Sequence, residues 1–139
     1  MDIYGEKKRS EIMARVKGRD TQPEILVRST VHNLGYRFRL YRHDLPGNPD
    51  ITLPKHRTVI FVHGCFWHGH KRCFRAARPT TNIAFWRKKL DSNIVRDRRN
   101  VRQLRKDGWR VLVVWQCQTK KLEALEKKLF KFLKKECKR

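Results

Sequence analysis

No apolar run in this sequence exceeds five residues; the longest, VLVVW at 111–115, is far short of the roughly 20 that a membrane span requires. The amino terminus, MDIYGEKKRS, has no apolar core of signal-peptide length either. Both absences lead to the expectation of a soluble, intracellular chain with no membrane partner. Acidic residues are also scarce: 13 Asp and Glu face 35 Lys and Arg, a formal charge of +22. Such an imbalance excludes a self-neutralising surface of mixed sign and points to a polyanionic partner, nucleic acid first, without separating DNA from RNA. Cysteine is sparse, with Cys65, Cys73, Cys117 and Cys137 only. In a reducing interior, neighbouring histidines favour metal ligation over two disulfides. Cys137, in the charged stretch KKECKR, reads as a solvent-facing free thiol. Repeats, low-complexity tracts and linkers are missing too, so the 139 residues are expected to form one domain.

What is present is a series of short elements. RSEIMARVKG, which carries Met13, reads as a weakly amphipathic helix. Thr21-Gln22-Pro23-Glu24 offers an N-cap threonine, a first-turn proline and a capping-box glutamate for a second helix, which Gly35 closes. YRFRLY alternates like a half-buried strand, LPGNPD is a turn by composition, and ITL and TVIFV form a hairpin across PKHR. Asn82 is placed to cap a long helix in which Trp86, Leu90, Ile94, Val101 and Leu104 recur near helical spacing, ending at Gly108. RVLVVW reads as a strand covered on both faces. A final helix should carry Leu122, Leu125, Leu129, Phe132 and Leu133 on one side. The expected architecture is α/β, a mixed central sheet flanked by helices.

Residues 63–73, HGCFWHGHKRC, concentrate three histidines and two cysteines in eleven positions. The spacing Cys65-x4-His70-x2-Cys73 supplies three zinc ligands from one loop. Cys117, just beyond RVLVVW, comes into reach as the fourth if that strand neighbours TVIFV. A site with all four positions filled is structural. It would rigidify a loop that has little apolar surface of its own.

His63 and His68 are then left over. Hydrolysis of a phosphodiester needs a nucleophile, charge neutralisation and a proton acceptor. Asp50 begins a strand immediately after PGNP, where its carboxylate can project from the sheet edge toward a hard cation such as Mg²⁺. An imidazole titrates near neutrality, so His68 could accept the proton.

PGNPDI at 46–51, VIFVHGCFWHGH at 59–70, FWRKKLDSNIVRDRR at 85–99 and GWRVLVVWQC at 108–117 together resemble the very short patch repair (Vsr) DNA mismatch endonucleases. The resemblance implies a restriction-endonuclease-like fold with a structural zinc loop. It also implies Mg²⁺-dependent, strand-specific nicking on the 5′ side of the thymine in T:G mismatches, which arise from deaminated 5-methylcytosine. Carried over by motif position, Asp50 and the backbone carbonyl of Val62 would hold Mg²⁺, His68 would be the general base, and His63 and Glu24 would support the metals. Cys65, His70, Cys73 and Cys117 would hold Zn²⁺. Phe66, Trp67 and Trp86 would wedge beside the mismatch, and Met13 would enter from the opposite groove. Residues 1–20 would contact DNA, and 119–139 would form a basic carboxy-terminal helix. A monomer in the cytoplasm, at the nucleoid, with mismatch-repair proteins as further partners, completes the expectation. Two alternatives stand beside it: a non-catalytic basic zinc module that binds nucleic acid, and a nuclease of the same fold with another DNA target.

Overall fold

The computed structural model describes residues 20–134; the helix expected around Met13, and Cys137, lie outside them. Helix α1 (Gln22–Asn33) starts where Thr21, in extended conformation, accepts the Glu24 amide on its side chain, with Pro23 in the first turn. The expected capping box is only half made, because the Glu24 carboxylate reaches past Thr21 to the Asp20 N–H, 2.7 Å away. The helix closes on Gly35 at φ +92°: its N–H bonds the His32 carbonyl and that of Tyr36 the Val31 carbonyl. A β-carbon disfavours that backbone.

Strand β1 (Ile51–Leu53) runs antiparallel to β2 (Thr58–His63), across a turn at Pro54–His56 in which Arg57 takes φ +50°. β2 then pairs parallel with β3 (Arg110–Trp115), from Thr58↔Arg110 to His63↔Trp115. The sheet is therefore mixed and three-stranded, ordered β1-β2-β3. Its centre is β2, in which every residue is buried. One face of β2 puts Ile60 and Val62 against Val27, Val31, Leu125 and Leu129; the other puts Val59 and Phe61 against Leu104 and Val111. The intervening helix α2 (Ile83–Lys106) supplies Leu104, and the last helix α3 (Leu122–Lys134) supplies Leu125 and Leu129. Among the described residues, no helix is long and apolar enough to cross a membrane.

Four further expectations need correction. YRFRLY is not a strand: Arg39 makes one isolated bridge to Thr52, and Tyr41 at φ +59° breaks the extended run. Its alternation is nonetheless real, since Tyr36, Phe38 and Leu40 pack on the core. β3 is not covered on both faces; only Val111 and Val114 are buried, because β3 lies at the described edge of the sheet. Asn82 precedes α2 in a left-handed conformation, φ +53°, and makes no side-chain cap. Leu122 stays exposed in the first turn of α3, ahead of the buried Leu125, Leu129 and Leu133.

The topology has a direct consequence for chemistry. Parallel β2 and β3 deliver His63 and Trp115 side by side, so the segments after them emerge together. Antiparallel β1 begins at that same end, which puts Asp50 there as well.

Candidate metal centre and catalytic cleft

Cys65, His70, Cys73 and Cys117 converge as the strand pairing requires, each offering a ligand atom, all within 4.8 Å of one another. His70 Nδ1 lies 3.7 Å from Cys65 Sγ and 3.4 Å from Cys117 Sγ. Ordinary zinc bond lengths at tetrahedral angles give a sulfur–nitrogen edge of about 3.6 Å, so this donor set fits Zn²⁺ in chemistry and in size. The His70 ring stacks on Trp115 at 4.2 Å, which fixes its plane. Burial pushes the Cys65 thiol up to about 11. A bound cation reverses that preference, because it stabilises the thiolate.

His68 N–H bonds the Gly64 carbonyl and His70 N–H the Cys65 carbonyl, winding the chain tightly. Gly69 has φ +63°, and a β-carbon there would meet Ile94 Cδ1 of α2 at 2.6 Å. Any other residue there would strain the left-handed backbone and displace the Ile94 side chain. Arg72, in the two-residue spacer between His70 and Cys73, takes a left-handed backbone at φ +57°.

The winding leaves His68 facing His63, their rings stacked at 3.9 Å and 6° from parallel. His68 Nδ1 is 2.6 Å from Asp97 Oδ2 on α2. Asp97 was missed in the sequence. The available signal was an Asn93/Asp97 pair one turn apart in a helix otherwise crowded with arginine; Asn93 donates to the Trp67 carbonyl at 3.0 Å, so both hold the loop.

His63, His68, Asp50, Glu24, Val62 and Trp67 all line one cavity of about 900 Å³. Asp50 Oδ2 accepts the Val62 N–H at 2.6 Å. Burial raises the Asp50 carboxyl to about 7; the Val62 N–H opposes the shift, the Glu24 charge adds to it, and His68 and Arg28 oppose it. An acid this reluctant to ionise by itself is suited to a cation that compensates its charge. Glu24 is itself buried, and one of its oxygens takes both the Asp20 N–H and Arg28 Nη2. Phe66, Trp67 and Trp86 make a cluster with ring centroids 5.1, 5.5 and 5.9 Å apart, and Trp86 packs there rather than in the core. Met13 lies outside the described residues.

Asp50 and His63 bias stability in opposite directions. Asp50 titrates near 7 in the fold instead of 3.8, so stability present below about 4 is lost as pH rises through 7. His63 is held down to about 4 from 6.5, first by burial and then by His68, so its contribution is complete above 6.5 and lost as pH falls through 4. Between these limits the two slopes oppose, each about 1.4 kcal/mol per pH unit at most. Asp50→Asn removes one of them. Without divalent cation, the variant should gain stability from about pH 4.5 to 6.5, while the parent changes less; urea unfolding at both values checks this.

A strongly basic chain with a buried acid and a carboxylate-held imidazole in one cleft is equipped as a nuclease, and the comparisons agree. Residues 1–75 match the family described as DNA mismatch endonuclease Vsr. The chain is 48% identical over 128 residues to the type II nicking enzyme V.XorIIP of Xanthomonas oryzae, covering 92% of this chain and 93% of that protein. It is 42% identical over 119 residues to V.NmeAIP of Neisseria meningitidis, a type II nicking enzyme (86% and 84%). It is 40% identical over 124 residues to the DNA mismatch endonuclease Vsr of Escherichia coli (89% and 79%). The chain belongs to the Vsr family of DNA endonucleases.

Proposed function

We propose that this chain is a Mg²⁺-dependent endonuclease that nicks one strand of duplex DNA on the 5′ side of the thymine in a T:G mismatch. Such mismatches follow deamination of 5-methylcytosine, and the nick starts very short patch repair. One observation carries the reading: Asp50 and the Asp97-held His68 open onto the cavity that Trp67 of the aromatic cluster also lines.

With Nδ1 engaged by Asp97, His68 keeps Nε2 for the proton of an attacking water, and Asp97 stabilises the imidazolium that results. Asp50 has one oxygen on the Val62 amide; its second oxygen and the Val62 carbonyl would hold Mg²⁺, with His63 and Glu24 flanking them. Oxygen donors of this kind match a hard cation, which when bound neutralises charge on the scissile phosphate. Zn²⁺ on the two-sided cluster of Cys65, His70, Cys73 and Cys117 would be structural. Phe66, Trp67 and Trp86 would wedge into the base stack, and Met13 would enter from the other groove. Unstacking a step costs a few kcal/mol, least where a mismatch has already weakened it, so the wedge itself discriminates.

The wider reading is a restriction-endonuclease-like fold in one domain, acting as a cytoplasmic monomer at the nucleoid, with residues 1–20 on the DNA and mismatch-repair proteins as further partners. A purely DNA-binding zinc module would leave the Asp97–His68 pair and the buried Asp50 without a task. The test is one gel with T:G, T:A and C:G duplexes and Mg²⁺. Nicking confined to the thymine strand of T:G is expected, and equal cutting of all three overturns the mismatch reading.

A further inference from the structure

A second cavity, of about 710 Å³, lies on the other side of the stacked histidines, with His63 and His68 as its shared wall. Its floor is apolar: Val101 and Ile94 from α2, Val113 and Trp115 from the sheet edge. Its rim is basic. Arg98, Arg102 and Arg105 stand at i, i+4 and i+7 of α2, with Lys71 opposite on the metal loop.

That spacing puts the three guanidinium stems along one stripe, roughly 6 and 10 Å apart in rise. Like charges stacked in this way destabilise a helix. Among the described residues none of the four makes a salt bridge: Asp97 is taken by His68, and Asp107 accepts from Gln103. Among the described residues the stripe therefore has no ion-pair partner, and it stands over a pocket lined by the Trp115 ring. Guanidinium forks match phosphate oxygens, and an apolar floor accepts a sugar or base face.

We propose that this cavity is a second phosphodiester-binding site, which grips a stretch of the DNA backbone outside the scissile bond. It rests only on the chain acting on DNA, not on the mismatch reading. Each phosphate neutralised contributes about 0.9 to the slope of log K against log salt.

The experiment measures binding of the full chain to a mismatched duplex by fluorescence anisotropy across salt concentrations, without divalent cation. The variant Arg98→Ala/Arg102→Ala/Arg105→Ala is compared with Lys127→Ala/Lys131→Ala/Lys134→Ala, which removes the same charge from α3. The first should flatten the slope by about 2.7 and the second by less than about 1. Phosphate-ethylation interference should lose a run of consecutive backbone positions in the first variant only. Equal flattening by both variants, an unchanged slope in the first, or an interference pattern identical to the parent overturns the site. If the site falls while T:G nicking persists, the mismatch reading is untouched; if nicking proves indifferent to the mismatch while the slope difference holds, the cavity assignment stands.

Discussion

Asp50→Asn should lower nicking of a mismatched duplex by about 10³-fold or more, with the fold retained. The asparagine keeps an oxygen for the Val62 amide, so the sheet edge survives. What disappears is the negative charge that a hard cation requires. His68→Ala should fall by about 10²- to 10⁴-fold through loss of the proton acceptor. Asp97→Asn touches no substrate atom, yet it should cost about 10²-fold or more: an amide can present its NH₂ to Nδ1 and enforce the wrong tautomer. Single-turnover nicking with Mg²⁺ reads all three. Rates within about tenfold of the parent for Asp50→Asn and His68→Ala would remove both from the reaction, since losses of 10²-fold or more accompany such roles.

Cys117→Ser should be as damaging, although Cys117 itself does not line the cleft. Structural zinc contributes about 10–16 kcal/mol in small modules, comparable with the 5–15 kcal/mol that holds a whole domain together. Cys117 lies 3.4 Å from His70 and is recruited from the far side of β3, 47 residues away. Its loss unties the loop from the sheet, and His68, two residues before His70, loses its approach to Asp97. The variant should bind less zinc, unfold at markedly lower denaturant and fail to nick. A serine variant with the parent's zinc content and nicking rate would show that Cys117 is not a ligand.

The sequence disclosed the site unevenly, for physical reasons. The clustering of Cys65, His70 and Cys73 was legible because their spacing puts three donor side chains on one short loop. Cys117 could be added because parallel pairing of β2 with β3 forces their ends together. Comparison then bore out the family resemblance drawn from the quoted motifs. Asp97 was missed: its partner His68 is 29 residues away, and the Asn93/Asp97 pair on an arginine-rich helix marks a polar face without saying that a loop meets it. The burial pattern of residues 36–41 was right while their strand was not, since alternation reports which side chains face the core and Tyr41's left-handed backbone decides whether a ladder forms. Asn82 failed as a side-chain cap for the same kind of reason: residue type favours a cap, but φ +53° turns its side chain out of that role.

The most direct measurement is the zinc content of the purified, nicking-competent protein, by elemental analysis. One tightly held zinc per chain is expected, with loss of nicking in parallel with its removal by chelator even when Mg²⁺ is in excess. Folded protein that nicks T:G duplexes at full rate with no zinc bound would contradict it.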